Sequence, residues 1–191
     1  MANNDFKINW QKGDLDEWFD FEELEIDKTN LSSLTKEFLK NGFPENPSPY
    51  LGFGLRSFDN KFYTISEYYT DYELSNGYQN YWIFGSDGSG NIICIDSNQN
   101  DRIVILDHEE NFGIVQIMNK DIIELSKCLL EHKNFIEEIQ NEYGEDGFIE
   151  SKFTEVHLDK LKVNFIKINP NIFEESDFWD SEIDNLYSEI K

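Results

Sequence analysis

Three histidines, two cysteines and a surplus of carboxylates are the groups in this chain that could do chemistry. His108 is the best placed of them. It sits in Leu106-Asp107-His108-Glu109-Glu110, where flanking carboxylates would suit a general base or a metal ligand. The same flanks suit an ordinary polar turn, and that is the reading adopted. His132 lies between Glu131 and Lys133 and reads as a solvated position in mid-helix. No two histidines stand at the His-Glu-x-x-His spacing, and there is no Gly-x-Ser-x-Gly elbow. Cys94 and Cys128 have no His or other base beside them to lower a thiol pKa. They could form one disulfide, but their apolar surroundings favour buried reduced thiols.

One carboxylate run has the look of a calcium loop. Asp96-x-Asn98-x-Asn100-Asp101 followed by Asp107 puts Asp101 where such a loop needs Gly, and Asp107 where it needs a bidentate Glu. Its flanks read as strands, so a polar hairpin turn is expected instead. The 39 Asp and Glu against 16 Lys and Arg give a net charge of −23. At that density, paired carboxylates carry no information about a glycosidase-like couple. The expectation is a protein with no catalytic residue, no metal and no cofactor. The charge also repels nucleic acid and anionic membrane, and it attracts basic partners. The N-terminus, Met1-Ala2-Asn3-Asn4-Asp5-Phe6, shows no signal-peptide pattern, and no apolar run approaches a membrane span. A soluble cytoplasmic protein is therefore expected.

The elements that would position these groups follow from periodicity. Four short aromatic or β-branched runs read as strands at 81–84, 92–96, 102–107 and 113–118. Their short connections make the pairing antiparallel. The loop Gly85-Ser86-Asp87-Gly88-Ser89-Gly90 lacks the Lys-Ser/Thr of a phosphate loop and reads as a tight turn. Further short strands are expected at 51–53 and 61–65. A helix over about 15–24 is possible, and a clearer one covers 31–39 before Asn41-Gly42. Pro44, Pro47 and Pro49 exclude helix across 43–50. A long helix is expected from Lys120 to Tyr143, capped by Asn119 and ended by Gly144. Two more follow, over 154–168 and from Ser176 onward. Strands grouped between helices mean an α+β fold, with a mostly antiparallel central sheet flanked by helices and a C-terminal helical extension. A single domain spans 1–191, with its core at about 30–143 and the extension at about 150–191.

The order of these segments resembles one family. Leu39-Lys40-Asn41-Gly42-Phe43-Pro44 with Ser48-Pro49-Tyr50-Leu51 resembles the helix, G-(F/L)-P and strand opening of the SMI1/KNR4 (SUKH) superfamily. Residues 82–96 look like its central strand pair and glycine turn, and Val104 to Asp107 like its next strand. Val115 to Asp121 resembles the strand leading to a helix-capping Asn. Ile168-Asn169-Pro170 and Phe178-Trp179 are similar to the C-terminal extension of a SUKH-4-like branch. Asn91 stands where many relatives carry Asp. The resemblance covers about residues 30–140 and, more loosely, the C-terminal part.

What the resemblance implies is a bacterial cytoplasmic immunity protein, an antitoxin that catalyses nothing. Such proteins bind and neutralise a cognate polymorphic toxin, often a nuclease or deaminase domain. The alternative is a non-enzymatic regulatory scaffold of the SMI1/KNR4 type. The partner expected is a basic toxin domain rather than nucleic acid or membrane. Its contact surface is assigned to Tyr68, Tyr69, Asp71, Tyr72 and Glu73, since Tyr buries area at low entropic cost while hydrogen-bonding. Two of these tyrosines could equally well cover the sheet. Trp18, Asp20, Glu22 and Glu23 form a second candidate patch.

Overall fold

Period-two alternation in two strands organises the molecule. Ile93 and Ile95 on one strand and Ile103 and Ile105 on the next point to one side of the sheet. Ile92, Cys94, Val104 and Leu106, their neighbours in sequence, point to the other. Every one of these side chains is buried, so both faces of the sheet are covered.

The computed structural model describes residues 3–11, 17–54, 61–72, 74 and 77–190. In chain order the elements are α1 (Asn3–Trp10), β1 (Trp18–Phe19), α2 (Glu23–Lys28), α3 (Ser33–Leu39), β2 (Phe43–Pro44), β3 (Gly52–Phe53), α4 (Ile65–Tyr68), β4 (Tyr81–Ser86), β5 (Ile92–Asp96), β6 (Arg102–Leu106), β7 (Ile114–Asn119), α5 (Ile122–Tyr143), α6 (Glu155–Ile168), α7 (Ile172–Glu175) and α8 (Asp177–Glu189). A five-stranded sheet has the order β3-β4-β5-β6-β7, antiparallel throughout, and β1 pairs with β2 in a separate ribbon. The protein is thus of the α+β class, with all its helices but the short α4, which lies between β3 and β4, grouped before and after the sheet.

The helical face carries the main core. Leu125, Cys128, Leu129 and Ile139 of α5 lie on it, with Leu158, Leu161 and Phe165 of α6 and Trp179 and Ile183 of α8. Each large apolar side chain so buried contributes roughly 1.5–3 kcal/mol. Gly144 ends α5 at φ +93°. In β4, Gly85 answers a close approach: a Cβ there would stand 2.1 Å from the carbonyl oxygen of Gly52 on β3.

Several expectations are corrected. No helix spans the described part of 15–24. Trp18 and Phe19 instead pair with Pro44 and Phe43, and Trp18 Nε1 donates to the Asn41 carbonyl at 2.9 Å. Helix begins only at Glu23, where Glu23 and Glu25 favour its N-terminus. Residues 61–65 make one bridge, Thr64 to Trp82, rather than a strand. Thr64 caps α4 in a reciprocal box with Glu67, a pattern written in Thr64-Ile65-Ser66-Glu67. Asn119 is the last residue of β7 and not a cap. Asp121 caps α5, its carboxylate accepting from Glu124 N–H at 2.7 Å. The helices α1, α4 and α7 were not anticipated.

Candidate interaction surface

The tyrosine segment is built from the inside outward. The second face of the sheet holds a small core of Ile65, Ile83, Ile92, Cys94, Val104, Leu106 and Phe112. Phe112 sits at φ +58°, held by the hydroxyl of Tyr78, which donates to the Asn111 carbonyl at 2.8 Å. Around Phe112 the rings chain together. Tyr69 lies 4.6 Å and Tyr72 5.4 Å from it, and Tyr68 meets Tyr69 edge-on at 5.0 Å. Such contacts hold rings in place without ordering long flexible side chains.

The predicted residues therefore divide. Tyr69 is half-buried and packs on the sheet, so it is a roof tile. Tyr68 and Tyr72 are 39% and 50% exposed and turn surface outward, with Asp71 exposed between them. Glu73 lies outside the described residues.

The second predicted patch lies over the opposite face of the sheet, because Trp18 packs against the helical core. Its ring stands 5.7 Å from Phe6, under the Lys7 ammonium at 5.0 Å. Lys7 also pairs with Asp20 at 3.2 Å. Trp18 and Asp20 are thus engaged with their own chain, which leaves Glu22 and Glu23 outward beside Leu24, itself 74% exposed. The fold does not bring the two patches together.

The groups with chemical potential are occupied by structure. The Asp101 carboxylate is buried and accepts from Ser32 N–H at 2.8 Å and the Thr35 hydroxyl at 2.7 Å, tying the β5–β6 hairpin to α3. Asp96 accepts from Asn98 N–H, and Asp107 from Glu109 N–H. With Asn100 and Asp101 both left-handed, the calcium-like run is a carboxylate-organised turn. In the glycine loop, Asp87 accepts from Ser89 N–H and Asn91 N–H. His108 Nδ1 stands 3.3 Å from Asn91 Oδ1. His157 caps α6, Nδ1 accepting from Thr154 N–H, with Nε2 at 3.2 Å from Glu142. The hydrogen bonds of Tyr143 and His157 hold the Glu142 carboxyl below its ordinary range. Among the described residues no group of three or more His, Cys, Asp or Glu is arranged to hold a metal ion.

His132 is the sharpest correction: it is fully buried rather than solvated. Its ring packs among Phe135, Phe148 and Trp179 at 6.0–6.4 Å. The spacing Cys128, His132, Phe135, Ile139 is a helical stripe, and that signal was available in the sequence. Cys94 and Cys128 are both buried reduced thiols on opposite faces of the sheet, which separates them too well for a disulfide. Burial pushes the Cys128 thiol up, away from its nucleophilic form.

A concavity that sequence reasoning missed lies between residues 46–52, the β4–β5 turn and α8, with a volume of about 1070 Å³. Among the described residues no helix is long and apolar enough to cross a membrane. Compared with known proteins, the chain matches no family model, no curated protein and no solved structure.

Proposed function

We propose that the protein is a bacterial immunity protein of the SMI1/KNR4 (SUKH) type, acting in the cytoplasm by binding a basic toxin domain and not by catalysis. The observation that carries the reading is the outward pair Tyr68 and Tyr72 flanking Asp71, fixed on a bed of ring contacts in a chain of charge −23. Prefixed tyrosines lose little entropy on contact, and the surrounding charge steers a cationic partner. A nuclease or deaminase domain presents a basic cleft to phosphates, which is the complement such a surface needs. The commitment of Asp101, Asp107 and His157 to turns and caps supports a binder over a hydrolase.

The test is capture of the toxin domain encoded beside this gene, with toxin activity assayed in the same mixture. Tight 1:1 capture with loss of activity is expected. Association should slow markedly once salt passes ~0.15 M, where the Debye length is about 8 Å. A folded bait that leaves an active, uncaptured toxin would overturn the reading.

A further inference from the structure

We infer that the groove between residues 46–52, the β4–β5 turn and α8 is a docking site for an extended segment of a partner protein that alternates arginine or lysine with apolar side chains. The inference goes beyond the tyrosine surface and holds whether or not the partner is a toxin.

The walls come from distant parts of the chain. Tyr50, at φ +49° and 89% exposed, stands on the β4–β5 turn, where a Cβ on Gly88 would come within 3.0 Å of it. Ile149, 80% exposed, and Phe148 form the far wall with Leu186 of α8. Two large apolar side chains displayed across one trough offer pockets for alternate side chains of an extended strand.

Charge selects the occupant. Asp87, Glu182 and Glu189 line the groove, and among the described residues no Lys, Arg or His does. Asp87 and Glu189 already accept bonds from Ser89 N–H and the Ser151 hydroxyl. Glu182 is different. Its side chain is only 15% exposed, and among the described residues its carboxylate accepts no hydrogen bond. Its near neighbour is the fully buried His132, whose Nε2 stands 3.4 Å away outside hydrogen-bonding geometry. Both ring nitrogens of His132 lack hydrogen-bond partners. A carboxylate whose near polar neighbour is an imidazole outside hydrogen-bonding geometry is under-satisfied and costly to keep. A guanidinium or ammonium entering from the groove would supply the missing donors through charge-assisted bonds. The neighbouring apolar walls would hold the side chains that flank it.

The probe is a fluorescein-labelled heptapeptide alternating arginine and leucine, followed by anisotropy against the full chain at ~0.15 M salt. The control probe replaces leucine with serine at equal charge. The arginine–leucine probe is expected to bind 1:1 and about tenfold tighter than the control. Glu182→Gln and Ile149→Ser should each weaken it roughly fivefold or more. Ile149 is exposed, so its variant keeps the test valid if Glu182→Gln disturbs folding around His132. The double variant Glu155→Gln, Glu174→Gln removes two exposed charges that do not line the groove and should leave binding unchanged. Equal binding of both probes, or equal loss from the distant pair, would mean attraction to net charge alone and would overturn the site. So would dimerisation of the free chain that is abolished by Ile149→Ser, because the groove would then belong to a second copy.

Discussion

The two faces of the central sheet are filled by different means. On one face, Ile93, Ile95, Ile103 and Ile105 meet whole helices, and the cluster extends through Trp179 and Phe165 to Phe6 near the N-terminus. On the other, Ile92, Cys94, Val104 and Leu106 meet Ile65 of the one-turn helix α4 and the loop residues beyond it, whose tyrosines close the lid. A helix covers a sheet by presenting a full apolar stripe and keeping its backbone satisfied internally. A loop has no such stripe, so it covers with few large rings whose hydroxyls reach solvent or a carbonyl, as Tyr78 does. The helical face is therefore where stability resides, and the tyrosine face is where a surface is displayed at the expense of depth.

This contrast can be broken by substitution. Trp179→Ala should cost most, about 3–5 kcal/mol in denaturant unfolding. It empties the contact with Phe165 at 4.9 Å and strips the donor from Asn119 Oδ1. Phe112→Ala should cost about 3 kcal/mol, at the low end for its type, because half-buried tyrosines can settle into the space. If the two variants lose equally, the lid is as rigid as the helical layer and the contrast fails. Asp101→Asn should cost about 1–3 kcal/mol, since one carboxylate oxygen accepts from both Ser32 and Thr35. Tyr72→Ala should change stability by less than about 0.5 kcal/mol yet weaken capture of the partner. Thermal melts beside a binding titration separate these effects. Smallest of all, Cys94 and Cys128 should stay unreacted with a soluble alkylating reagent until the chain unfolds, on the two faces alike.

The sheet was legible because its signal is local. Ile92 to Asp96 and Arg102 to Leu106 alternate or run apolar between turn residues, and their pairing needs only a short hairpin. The long helix α5 was legible for the same reason, although Asp121 and not Asn119 holds its end. His132 was misread because its charged neighbours in sequence lie on other faces of the helix. The tyrosine surface was half legible. The cluster of tyrosines was legible as residue types, but only the folded packing separates Tyr69, half-buried on the sheet, from the outward Tyr68 and Tyr72. The groove was not legible, since Tyr50, Asp87, Ile149 and Glu182 lie far apart in sequence and line one trough only in the folded chain.

The join between α8 and β7 has a consequence of its own. β7 ends the sheet, and its outer backbone groups would otherwise be unpaired. The Ser176 hydroxyl donates to the Met118 carbonyl at 2.5 Å, and the Asp177 carboxylate accepts from Ile117 N–H at 3.1 Å. The start of α8 thus occupies the second half of that edge, while Ile114 and Val115 remain exposed at its first half. The start of α8 therefore shields part of the β7 edge from pairing with another chain. A chain cut before Ser176 would leave the Ile117 N–H and the Met118 carbonyl open on that edge, an adhesive ribbon for a second copy.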